Sequence, residues 1–220
     1  MFQNKNNIDG FTLVELLIAM VITGFVMASI YSVYYTQQRS YMTQEQVAAM
    51  QQNLRAGMSV MTKDIRMAGF DPVGILPNPA VITADETIFK FYRIDDSGAT
   101  IETIRYQLFD SGSDSDDDLG RQLNTNPQQA IAENIDALNF VYLDGSGVTL
   151  ATPVTGGDLA NIRSVQVSMI ARADRGDPGY VNNTSYFNQQ SGVPAFYTAP
   201  SDNFRRKMLS RQIKCRNLGL

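Results

Sequence analysis

The chain has 220 residues, of which 44% are hydrophobic, enough for one head domain with a useful core beyond any anchor. Its net charge is −4, so bulk charge supplies no attraction for nucleic acid. With 1 Cys and 0 His, an intrachain disulfide is excluded and the commonest acid–base group and metal ligand is missing. Cys215 lies in an expected C-terminal strand, where burial is the stable state for a lone thiol in an oxidising compartment.

In chain order the first feature is Gly10 followed by Phe11, after which an apolar run extends to Tyr31 with one carboxylate, Glu15. As a helix, about 21 residues cover roughly 31 Å, the thickness of a hydrocarbon core. A cleaved secretory signal has a shorter apolar core with its small residue behind it. Here the small residue comes first and the core is too long. An ionisable group inside such a segment is expensive and points to function. Thr12-Leu13-Val14-Glu15 is also a capping-box pattern, and a capping role for Glu15 is compatible with a second one.

The helix is expected to continue. Residues 32–69 contain no proline and are rich in Gln, Ala, Met and Arg, mostly good helix formers. Val47, Met50, Leu54, Met58, Met61, Ile65 and Ala68 recur every three or four positions, an apolar stripe that reads as core. Gln46, Gln52, Arg55, Lys63 and Arg66 occupy the other face. Asp71-Pro72 is expected to stop the helix, since proline pushes its predecessor out of the α region.

From residue 80 the period changes to two. Expected strands run through 88–94, 104–108, 138–142, 165–171 and 209–215, with turns at Asp95-Asp96-Ser97-Gly98, Asp144-Gly145 and Asp174–Pro178. Residues 128–136 are expected to form a short helix or loop. The fold class is therefore α+β: a long N-terminal helix packed on an antiparallel β-sheet head.

Three segments carry concentrated polar chemistry. Asp114, Asp116 and Asp118 imitate the opening of a calcium loop, but Leu119 replaces the turn glycine and Thr125 stands where the bidentate Glu belongs. A solvated acidic hairpin loop is the preferred reading, with one irregular Ca2+ site on those three residues as the alternative and no other cofactor expected. Arg205, Arg206, Lys207, Arg211, Lys214 and Arg216 form a basic cluster that reads as a guarded edge strand, with DNA phosphates as the lesser alternative. Residues 178–204, rich in Pro, Tyr, Asn and Ser, are expected to be a long loop and a contact surface. No nucleophile–base pair, phosphate loop or metal-ligand set is visible, which points to a structural protein and not an enzyme.

Gly10-Phe11-Thr12-Leu13-Val14-Glu15 resembles the processing site of type IV prepilins and type II secretion pseudopilins. The resemblance implies cleavage after Gly10 by a prepilin peptidase, methylation of the Phe11 amine, and retention of Thr12 and Glu15 for assembly. It divides the chain into a leader (1–10), a transmembrane and fibre-core half-helix (11–35) and a pilin-like head (36–220). Gln37-Gln38-Arg39-Ser40-Tyr41, Gln51-Gln52-Asn53-Leu54-Arg55-Ala56 and Asp64-Ile65-Arg66-Met67-Ala68-Gly69-Phe70-Asp71-Pro72 are similar to PilW-type minor pilins, strongly over residues 8–72 and more weakly at Arg216-Asn217-Leu218. Implied partners are other minor pilins, the major pilin, the peptidase and a tip adhesin. The implied location is the bacterial inner membrane with a periplasmic head, then an extracellular pilus. Pilin-like heads sometimes bind calcium. The implied function is a minor pilin that initiates the fibre at or near its tip. Alternatives are a J-type pseudopilin of type II secretion and a fibre-borne subunit that binds DNA or a surface.

Overall fold

Helix α1 runs from Leu13 to Arg66 without a break. The computed structural model describes residues 10–112, 116–190 and 192–219, and two compact units divide the chain, Met1–Glu45 and Gln46–Leu220. The helix ends earlier than the Asp71-Pro72 signal implies. Met67 and Ala68 amides donate to the Asp64 and Ile65 carbonyls, tightening the last turn, and the Gly69 amide leaves the helix for the Tyr92 carbonyl at 2.9 Å. Gly69 has φ +73°, and a side chain there would meet Leu218 and the Asn217 backbone. Asp71 instead organises the exit loop. Its carboxylate accepts the amides of Leu76 (2.8 Å), Gly74 (2.7 Å) and Ile75 (3.1 Å), which hold its pKa below the usual carboxylate range.

In the head unit, β1 (Val81–Ala84), β2 (Phe89–Ile94), β3 (Ile101–Asp110), β4 (Asp117–Leu123) and β5 (Gln129–Ala132) form a five-stranded sheet in sequence order. All its pairings are antiparallel. Then come β6 (Ile135–Leu143), a 3-10 helix (Gly156–Asn161), β7 (Ser164–Arg172), β8 (Ser185–Tyr186), β9 (Tyr197–Thr198) and β10 (Arg206–Lys214). Strands β10, β7 and β6 make a second antiparallel sheet in that order, and β8 pairs with β9 as a two-stranded ribbon. The sequence pattern implies one sheet; the structure has two main ones. The chain turns between them at Asn134, whose φ is +57°, and Ile135 pairs with Ala171 of β7. Residues 129–132, expected as helix or loop, are strand β5.

The apolar stripe of α1 is the spine of the head core. Met50, Leu54, Met58, Met61, Ile65 and Ala68 are buried, and Val47 packs against them. The helix comes close to both sheets at Gly57, where an added Cβ would lie 2.8 Å from Leu119 on β4 and 3.1 Å from Ala132 on β5, with Met169 of β7 at 3.5 Å. Phe89 joins the sheets through ring contacts with Tyr142 (5.4 Å) and Phe140 (5.9 Å) of β6, beside Phe91 of its own strand (5.0 Å). Cys215 is buried and free, as expected, although it lies one residue beyond the end of β10, and burial pushes its thiol up to about 12.

Candidate functional site

The N-terminal motif is a formed capping box. Thr12 donates to the Glu15 carboxylate through its amide (2.9 Å) and hydroxyl (2.9 Å), and the Glu15 amide donates back to the Thr12 hydroxyl at 3.3 Å. Phe11 is 91% exposed. Gly10 has open space around it and no backbone requirement for glycine. Nothing in this fold requires a glycine at position 10.

The apolar run that follows is uncovered. The helix contains a stretch of mean hydropathy 2.3, none of it buried. Two hydroxyls within it are satisfied by the helix itself: Thr23 donates to Ala19 O (2.7 Å) and Ser29 to Phe25 O (2.9 Å). That arrangement suits an apolar solvent, where an unpaired polar group is costly.

The head holds two charged seams that sequence reasoning did not single out as sites. Asp64, on the buried stripe of α1, accepts the Tyr106 hydroxyl and Arg121 Nε, both at 2.6 Å, with Arg93 4.0 Å away. Arg93 in turn pairs with Glu102 at 2.8 Å. The second seam ties residues 173–205 to the sheets. Asp136 pairs with Arg206 and, at 3.7 Å, with Arg172, and it accepts the Tyr197 hydroxyl at 3.0 Å. Arg206 also grips Asp202 through two 2.6 Å bonds, which hold the Asp202 carboxyl below its usual range. Arg205 pairs with Asp177 at 2.6 Å and covers the Tyr180 ring.

These contacts correct three expectations. The described residues of 178–204 form a long excursion that is mostly loop, as expected, but with paired stems and the short strands β8 and β9: the amides of Ala173, Asp177 and Asn182 donate to Arg205, Asn203 and Asp202 carbonyls. The excursion lies over the second sheet, with Gln190 donating to Gln166 and Asn188 to Asn139. The basic cluster does follow an edge strand, β10, as expected, but it is not one patch, because Arg205 and Arg206 are used internally. The solvated-loop reading fails at Asp118, which is 6% exposed and accepts bonds from Ser111 and the Asn134 amide. Of the calcium-like triplet, Asp116 pairs with Arg172 and Asp114 lies outside the described residues. Among the described residues no cluster of three or more His, Cys, Asp or Glu is placed to hold a metal.

A capped, uncovered apolar helix continuing into the spine of a two-sheet head defines a subunit of the pilin class. Residues 5–31 match the prokaryotic N-terminal methylation motif, and residues 91–217 match the family of Type IV Pilus-assembly protein W. The second match spans more than half of the chain, and the chain belongs to that family. Its role in general terms is that of an accessory pilin in type IV pilus assembly, acting with other assembly components and carrying a single apolar N-terminal anchoring segment. The match falls mainly on the sheets, where sequence reading found only the weaker C-terminal resemblance. No curated protein sequence matches the chain. A type IV-like pilin from Thermus thermophilus has a similar fold, with a TM-score of 0.52 at 13% identity, covering 77% of this chain and 97% of that one.

Proposed function

We propose that this accessory pilin is a low-copy subunit that helps start the fibre and sits at or near its tip. On this reading the N-terminus is the processing and assembly site: the peptidase cuts after Gly10, Phe11 is methylated, and Thr12 and Glu15 stay with the mature helix. Other minor pilins, the major pilin and a tip adhesin are its partners.

The observation that supports the tip placement is the excursion of residues 173–205. It adds a fixed layer to one sheet, braced by Arg206 and Arg205, and exposes Val181, Phe187 and Val193. A rigid projection with exposed apolar side chains suits specific contacts with a few unlike partners and obstructs repeated lateral packing. Deletion of the chain is expected to cut pilus number strongly, with labelled protein sparse and at fibre ends. Uniform label along the shaft overturns the tip placement and leaves the family assignment intact.

A further inference from the structure

Helix α1 carries an aromatic face just where its apolar run ends. Tyr34 and Tyr35 follow Tyr31 by three and four positions, one helical turn on and on the same side, and the three are 69%, 62% and 61% exposed in chain order. Among the described residues their hydroxyls have no hydrogen-bond partner. The residues that follow, Thr36, Gln37, Gln38 and Arg39, are polar, and no Lys or Arg occurs between Phe11 and Gln38.

Length decides what this face meets. Counted from Phe11 at 1.5 Å per residue, Tyr31 lies about 30 Å along the helix and Tyr35 about 36 Å. A hydrocarbon core is about 30 Å thick, and the bilayer with its headgroups about 40–45 Å. The three rings therefore fall in the headgroup layer, where an apolar ring with a polar tip is most stable. Tyr41, at about 45 Å, lies beyond that layer and has its hydroxyl within 3.3 Å of Gln37 Nε2. A protein partner for this face would need a matching apolar surface. The abrupt change to Gln, Gln and Arg argues instead for the boundary between lipid and water.

We infer that Tyr31, Tyr34 and Tyr35 form an interfacial girdle that fixes the depth of α1 in the bilayer before assembly, with phospholipid headgroups as its partner. The inference rests on reading the segment before Tyr31 as membrane-spanning. It adds a second anchor point to that segment, on the side away from Phe11, so that the helix is held at a set depth and does not slide along its apolar length. Replacing the rings with purely apolar side chains extends the apolar run and lets the helix sink.

The chain contains no tryptophan, so a single substitution makes a unique reporter. Full-length Tyr34→Trp and Phe25→Trp proteins are reconstituted in phosphatidylethanolamine–phosphatidylglycerol vesicles and quenched with lipids carrying a headgroup nitroxide or chain-end bromines. Trp at position 34 is expected to be quenched at least threefold more by the headgroup probe, and Trp at position 25 by the chain-end probe. Adding Tyr31→Leu and Tyr35→Leu to the Tyr34→Trp protein is expected to shift its quenching towards the chain-end probe at least twofold. The girdle is overturned if position 34 is quenched mainly by chain ends, or by neither probe while position 25 is deep, or if the leucines change nothing. Failure of both probes at position 25 overturns the spanning segment itself, and the girdle with it.

Discussion

Asp64 is the residue on which the head's helix and first sheet are joined by charge. Its carboxylate, 4% exposed as a residue, receives a tyrosine hydroxyl and an arginine from two strands of the same sheet. Removing one partner of a buried ion pair leaves the other unpaired, at a cost of about 3–5 kcal/mol. Asp64→Ala is therefore expected to destabilise the head by that order, and Tyr106→Phe by about 1–2 kcal/mol for one lost hydrogen bond. Cys215 supplies the readout: it is the single, buried thiol, so its labelling against denaturant in the full chain reports opening of the head. Unchanged labelling in Asp64→Ala removes the seam from the stability account. The tyrosines also set an alkaline limit. Burial raises the Tyr106 and Tyr142 hydroxyls above the ordinary phenol range, with Asp64 adding to the shift at Tyr106. Their contribution is intact below the unfolded phenol value near 10 and is lost as pH rises beyond it. Asp202 has the opposite sign. Its lowered pKa gives stability present above pH 3.8, lost as pH falls towards and through the folded value. Melting temperature is expected to fall at both ends, and Arg206→Gln to flatten the acid side.

The elements show which signals survive in a sequence and which do not. The α1 stripe was legible because one face must be apolar, and Met50 through Ala68 are buried as their spacing implies. Asp64 was also open to inference: it stands three residues from Met61 and four from Ala68, on the apolar face, where a carboxylate needs a buried partner. Strand β4 was hidden. It starts with Asp117 and Asp118 and continues through Gly120, so its composition reads as acidic loop, yet the Ser111 hydroxyl and the Asn134 amide supply the partners that let Asp118 enter the sheet. Strand β5 has four residues, too few for alternation to register. The excursion could not be read either, because its order comes from Arg206 reaching Asp136 about 70 positions away. Two predictions belong at this scale. Gly57→Leu forces a side chain into the 2.8 Å approach to Leu119, and is expected to cost at least about 1–3 kcal/mol through overpacking. Arg206→Ala leaves Asp136 without its main cation, and is expected to open residues 178–204 to limited proteolysis while the strands of both sheets stay protected. Wild-type resistance in that variant breaks the link between the seam and the excursion.

At the scale of the whole molecule, Glu15 has two roles to separate. In the single chain it closes the capping box with Thr12, worth about 0.5–2 kcal/mol to the start of a helix. In the fibre, the proposed role is to meet the charged N-terminus of a neighbouring subunit, which exists only after cleavage behind Gly10. Before cleavage the Phe11 nitrogen is a neutral amide; afterwards it is an ammonium, and methylation leaves it charged. A carboxylate in a lipid-free fibre core that lost such a partner would cost about 3–5 kcal/mol, more than the cap. Glutamine distinguishes the two, because Glu15→Gln keeps the oxygen that receives the Thr12 bonds and removes the charge. If charge governs assembly, Glu15→Gln and Glu15→Leu both insert and are cleaved, yet enter fibres at a few per cent of the wild-type level. If the cap alone matters, Glu15→Gln is incorporated normally and only Glu15→Leu is impaired. Gly10→Val supplies the control upstream: position 10 has open space in this fold, so the protein is expected to fold and insert normally while keeping its leader, as read by the mass of its N-terminal peptide. A processed Gly10→Val protein would show that the peptidase does not read the glycine, and normal incorporation of Glu15→Gln would leave Glu15 as a helix cap.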